Sequence, residues 1–120
     1  MAAPIGPYSP VLRAGPWLIT SGQLGLEPAT SLPALVDGGV AAQLTQALAN
    51  GGRLLDGEGA ALHDVIKTTV FLTDMTEYAA VNEAYARFFG DHRPTRSVVG
   101  VAALPLGAEV EVELWAYLPS

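Results

Sequence analysis

The stretch Val65-Ile66-Lys67-Thr68-Thr69-Val70-Phe71-Leu72 decides the fold. It is dense in β-branched residues, whose stiff side chains suit a pleated surface, and it is too short for an ordinary helix. The run predicts a strand lying centrally in a sheet. Upstream, Val40, Leu44, Ala47, Leu48, Gly51, Leu54 and Leu55 recur at helical spacing and predict a first amphipathic helix, closed by Gly57 and Gly59. Gly51 and Gly52 fall inside that helix and cost about 1 kcal/mol each relative to alanine, so packing has to hold it there. Downstream, Asp74 followed by Glu77 reads as a variant capping box. Tyr78, Val81, Tyr85, Phe88 and Phe89 then form the apolar stripe of a second helix that stops near Gly90.

The remaining chain predicts strands. Between Val11 and Leu24 two apolar runs flank the turn signal Ala14-Gly15-Pro16, which predicts a hairpin. After Pro94, Arg96 to Val101 and the alternating segment Glu109 to Leu118 predict two further strands, paired with each other across a turn at Leu104-Pro105-Leu106-Gly107. The order is β-β-α-β-α-β-β, with room for an extra edge strand. In the last strand Val110, Val112 and Leu114 point one way and Glu109, Glu111 and Glu113 the other, so one dry face covered by both helices and one acidic face are expected.

Composition bounds the function. The chain has 120 residues, half of them hydrophobic and 15% charged, which fits one domain with a substantial core. A net charge of −6 with six scattered Lys and Arg disfavours nucleic acid as a partner. The absence of cysteine removes disulfides, thiolate metal sites and thiol nucleophiles. Met1 to Pro7 carries no export signal, and no apolar run reaches the roughly 20 residues of a membrane span, so a cytoplasmic location is expected.

Arg96 opens a strand directly after a proline-containing loop, where its planar fork of donors could take a carboxylate. A structural ion pair would account for it equally well. Glu111 could share a cleft with Arg96 if the last two strands pair, and there orient or deprotonate water; otherwise it is one more acid in an acidic row. Gly6-Pro7-Tyr8-Ser9-Pro10 and Thr20-Ser21-Gly22-Gln23 could line a pocket or simply form turns. Asn82 could face a ligand from the second helix or lie on its surface. His63 and His92 stand in separate loops without metal-ligand spacing and read as surface residues.

Together Gly6-Pro7-Tyr8-Ser9, Thr20-Ser21-Gly22-Gln23, Val65 to Phe71, Val81-Asn82, Pro94-Thr95-Arg96-Ser97, Leu104-Pro105 and Val110-Glu111-Val112-Glu113 resemble the Rid family (YjgF/YER057c/UK114) over nearly the whole chain. The resemblance implies a chorismate-mutase-like α+β fold and a homotrimer with clefts between subunits. It also implies a deaminase of reactive enamines and imines, such as 2-aminoacrylate and related 2-imino acids, that needs no cofactor or metal. Arg96 matches the family's carboxylate-binding arginine and Glu111 the acid that positions the hydrolytic water. Tyr8, Ser21, Gly22 and Asn82 match pocket-lining positions.

Many members carry cysteine where Val98 stands, so only backbone groups at Val98 could serve a ligand in that way. Gly100, Ala103 and the short loop before Arg96 also depart from the best-known subgroup. These departures leave room for a non-catalytic protein that binds a keto acid in the same cleft. Ribonuclease or translation-inhibitor activity, for which some relatives are named, is disfavoured by the net charge and the isolated histidines.

Overall fold

A computed structural model describes residues 6–119. Met1 to Ile5, part of the segment in which the sequence shows no export signal, lies outside the described residues. The elements run β1 (Val11–Ala14), β2 (Trp17–Thr20), β3 (Gln23–Leu24), α1 (Gly39–Gly57), β4 (Val65–Leu72), α2 (Tyr78–Phe89), β5 (Thr95–Gly100) and β6 (Val110–Tyr117). Strands follow the order β1-β2-β6-β4-β5, with β3 also pairing β6. β4 therefore lies inside the sheet, as its composition predicts. Both helices cover one face of this mostly antiparallel sheet, giving an α+β fold. No described helix is long and apolar enough to cross a membrane.

The two last strands do not pair with each other. β5 runs parallel to β4, while β6 lies antiparallel on β4's other edge. The physical reason is the crossover: α2 carries the chain back along the sheet, and a helix between strands delivers the second strand parallel to the first. β6 then fills the gap between β4 and the β1–β2 hairpin, gaining partners on both edges.

Leu18, Val70, Leu72, Val112 and Leu114 from the sheet meet Leu44, Leu48 and Leu55 of α1 and Val81 and Phe89 of α2 in one core. The two helix glycines have an explanation at Gly51. A Cβ there would lie 2.6 Å from the Leu114 methyl, so α1 approaches β6 more closely than alanine permits. Asp74 caps the second helical segment, but through Thr76, whose N–H and hydroxyl it accepts at 3.0 and 2.7 Å. Those bonds hold the Asp74 carboxyl below its ordinary pKa. The capped turn is a short 3₁₀ segment, Met75–Glu77, that leads directly into α2.

Two surface expectations need correction. The face away from the helices is not an acidic row, because β6 begins only at Val110 and Glu109 falls outside the ladder. Gln43 of α1 binds Glu109 instead, donating to its carboxylate at 3.1 Å and accepting from its N–H at 2.9 Å. Glu111 and Glu113 share the open face with Trp17, Ile19, Phe71, Trp115 and Tyr117, and Lys67 lies 5.0 Å above the Trp115 ring. His92 is only partly at the surface, and is tied down rather than free. Its Nε2 lies 2.7 Å from the Val65 carbonyl, which ties the loop before β5 to the start of β4, as a parallel pairing requires. His63 is exposed, as expected.

Candidate active site

The parallel pairing of β4 and β5 places Arg96 opposite Thr68, a fully buried residue that faces the helices. Side chains at paired positions share a face, so Arg96 rises from the sheet edge toward α2. There it meets three residues spaced along one side of the helix. Arg96 Nη2 donates to Asn82 Oδ1 at 2.8 Å and to the Tyr78 hydroxyl at 3.1 Å. The guanidinium carbon stands 4.8 Å from the Tyr85 ring centre and 5.7 Å from that of Tyr78, within range of a cation–π attraction. Tyr85 is held beneath by a 2.7 Å hydrogen bond between its hydroxyl and that of Thr68. Burial raises the Tyr85 pKa, against the lowering effects of that bond and of the nearby Arg96 charge. Val98, two residues along β5, shares the Arg96 face and packs against the core.

The pairing partner that would have identified Arg96 as structural is absent among the described residues: no carboxylate lies within ion-pair distance of it. Its charge is satisfied by neutral oxygens and aromatic faces, which leaves the cation available to an anion.

Glu111 belongs to a second cluster. It pairs with Phe71 on the open face and is about half-buried. The route of the chain through Thr20-Ser21-Gly22 explains its surroundings. β2 leaves the β6 ladder after Ile19, and pairing resumes at Gln23 opposite Val112. The Leu114 N–H, which has no β2 carbonyl opposite it in between, donates to the Thr20 hydroxyl at 3.0 Å, so this buried donor keeps a partner across the detour. Ser21 anchors the amino-terminal segment by donating to the Ser9 carbonyl at 2.6 Å. Gly22 abuts Glu111 so closely that a Cβ would fall 2.7 Å from the carboxylate carbon. Tyr8 lies on the same anchored segment, partly exposed. Desolvation raises the Glu111 pKa, and the neighbouring Glu113 charge raises it further. A carboxylate so placed takes up a proton more readily than one in water, which suits a group that must exchange protons with a bound water.

The structure thus brings together Arg96, Asn82 and Val98 on one face, and places Glu111 and Gly22 on the other with Ser21 and Tyr8 on the adjoining segment. It does not bring the two sets into one cleft within a chain. Tyr78 and Tyr85, read from sequence only as an apolar stripe, are missed members of the Arg96 cluster. Their signal was present: Tyr78, Asn82 and Tyr85 repeat at i, i+4 and i+7, one helical face that carries polar tips. Among the described residues no group of three or more His, Asp or Glu side chains is arranged to hold a metal ion.

Fold and clusters define a class of small α+β proteins that carry a cationic group on the helix side of a sheet and a half-buried acid on its open side. The chain belongs to the Endoribonuclease L-PSP family, which it matches over residues 1–118, the grouping that includes the YjgF and UK114 proteins. It is 43% identical over 111 residues to a 2-iminobutanoate/2-iminopropanoate deaminase of Mus musculus, covering 92% of this chain and 81% of that one. The structure of the E. coli YjgF gene product superposes with a TM-score of 0.89 at 39% identity, covering 96% of this chain and 91% of the other. E. coli TdcF with bound serine superposes with a TM-score of 0.87 at 37% identity, covering 95% and 90%.

Proposed function

We propose that this protein hydrolyses small 2-imino acids, formed directly or by tautomerisation of enamines such as 2-aminoacrylate, to 2-keto acids and ammonia. The observation that carries the proposal is the Arg96 cluster: a cation without a carboxylate partner, oriented by Asn82 and two tyrosines and left with free donors. The deaminase name of the mouse relative and the serine held by TdcF, itself a small amino-acid carboxylate, support the same substrate class.

In this reading Arg96 holds the substrate carboxylate, which fixes the position of the adjacent imine carbon. Water held by Glu111 adds to that carbon, and the proton it gives up passes to the carboxylate. Glu111 passes that proton to the imine nitrogen as the adduct forms, then relays the adduct's hydroxyl proton to the same nitrogen as the C–N bond breaks, so that ammonia leaves and the carbonyl forms. Imines hydrolyse readily, so most of the contribution is orientation of the two reactants. Because Arg96 and Glu111 face opposite sides of the sheet, the working cleft joins the Arg96 face of one copy to the Glu111 face of another, which is consistent with a homotrimer. The departures at Val98 and Gly100 alter the wall beside Arg96 and leave both charged groups in place.

An amino-acid oxidase that produces 2-iminobutanoate in situ provides the test. The purified protein should accelerate appearance of 2-oxobutanoate, and Arg96→Ala should abolish the acceleration. Undiminished activity in Arg96→Ala protein, or none in the unaltered protein, rejects the proposal.

A further inference from the structure

Arg96 does not present an open two-nitrogen fork. Both of its hydrogen bonds leave from Nη2, to Asn82 Oδ1 and to the Tyr78 hydroxyl. That nitrogen carries two hydrogens, so both are committed, while the hydrogens on Nη1 and Nε have no acceptor among the described residues. A carboxylate that binds an arginine through two nitrogens uses an edge of the guanidinium that includes one terminal nitrogen and a neighbour. Here Nη2 is already occupied at whichever edge it serves.

Tyr78 supplies what is missing. Its oxygen accepts from Arg96, so its own hydrogen is directed elsewhere, and no acceptor for that hydrogen occurs among the described residues. The side chain is 39% exposed at the mouth of the cluster. Tyr85 offers no such group, since its hydroxyl is buried and engaged with Thr68. A hydroxyl that accepts from a cation is polarised and becomes a better donor in turn.

We propose that Tyr78 is a second carboxylate-binding residue: one substrate oxygen accepts from Arg96 Nη1 and the other from the Tyr78 hydroxyl, while Asn82 keeps Nη2 fixed. The ligand class is a small 2-keto or 2-imino acid, and the proposal rests on Arg96 being the carboxylate site. Tyr78 is thereby a binding group in its own right, whereas Tyr85 is a platform under the guanidinium.

Tyr78→Phe keeps the ring beside Arg96 and removes only the hydroxyl. With 2-oxobutanoate as the probe in calorimetric titration, Kd should rise about ten- to a hundredfold, the range of one hydrogen bond donated to a charged carboxylate. KM for 2-iminobutanoate should rise in parallel while kcat changes little. Preference for 2-oxobutanoate over its uncharged amide should fall in the same variant, a result that loosened packing alone does not produce. Arg96→Ala is titrated alongside. Lost affinity in Arg96→Ala with unchanged affinity in Tyr78→Phe overturns the role of Tyr78 and leaves Arg96 standing. Tighter binding in Tyr78→Phe overturns it too, because the hydroxyl would then only obstruct Arg96. Full affinity in Arg96→Ala overturns both assignments.

Discussion

Arg96 and Glu111 project from opposite faces of one sheet although only β4 separates their strands. Arg96 is in register with Thr68 and Leu114, which face the helices, and Glu111 is in register with Phe71, which faces away. No rotamer carries either side chain through a hydrogen-bonded sheet. In the proposed reaction the two groups that act on one substrate therefore come from different copies of the chain.

Mixed subunits test that geometry. Arg96→Ala and Glu111→Gln proteins should each be inactive alone and recover activity when co-expressed, since some clefts then receive the intact residue from each side. With random assembly around a closed ring, about a quarter of clefts are intact, so activity near that fraction of the unaltered protein is expected. Complementation measured with 2-iminobutanoate decides the matter, and complete failure to recover means that one chain supplies both groups.

Glu111 should set the acid limb of the proposed activity. Its pKa is raised by desolvation first and by Glu113 second, so kcat/KM should climb with pH through a midpoint above the ordinary carboxylate value as the base form appears. Glu113→Gln removes the like charge and should move that midpoint to lower pH. Stability runs the other way. Between the ordinary and the raised pKa the folded state binds more protons than the unfolded state, so the Glu111 contribution falls as pH rises through that window. A midpoint that stays fixed in Glu113→Gln protein would show that another group governs the limb.

Much of the fold was legible in local chemistry. β-branched density marked β4, the 3.6-residue period marked α1, and Gly15, Gly57 and Gly90 marked where elements stop. Strand partnership was not legible, because the alternation of β6 fixes which residues share a face and says nothing of which strand lies beside it. Pairing β5 with β6 followed from their adjacency in sequence, whereas the helix between β4 and β5 dictated a parallel pair. That one error placed Arg96 and Glu111 in a shared cleft. It also hid Tyr78 and Tyr85, which become neighbours of Arg96 only once α2 is seen to cross from β4 to β5. Glu109 was misplaced for a related reason, since its partner Gln43 lies 66 residues away and leaves no local trace.

Gly22 keeps space for the Glu111 carboxylate. An alanine methyl would stand 2.7 Å from its Cδ and 2.8 Å from Oε2, atoms at the free end of a flexible side chain. Gly22→Ala should therefore fold normally, with the carboxylate displaced from its place. Catalysis that depends on a placed water loses about a hundredfold when a group shifts by an ångström. The expected pattern is a large fall in kcat with the unfolding temperature nearly unchanged, and unaltered kcat would show that the exact seat of Glu111 is unimportant.

Adjacent glycines in α1 should respond to alanine in opposite directions. Alanine gains about 1 kcal/mol over glycine in a helix interior at either position. At Gly52 the new methyl meets Leu62 at 3.5 Å and Phe88 at 3.9 Å, ordinary contacts that leave the gain intact. At Gly51 it meets Leu114 Cδ1 at 2.6 Å, and Leu114 is fully buried within the core. Overpacking of that kind costs about 1–3 kcal/mol, enough to cancel or exceed the helical gain. Thermal unfolding, compared at one fixed protein concentration because any self-association would add to apparent stability, should place Gly52→Ala above the unaltered protein and Gly51→Ala below it. A stabilised Gly51→Ala protein would mean that the α1–β6 contact yields easily, and that Gly51 is dispensable to the packing of the helix on the sheet.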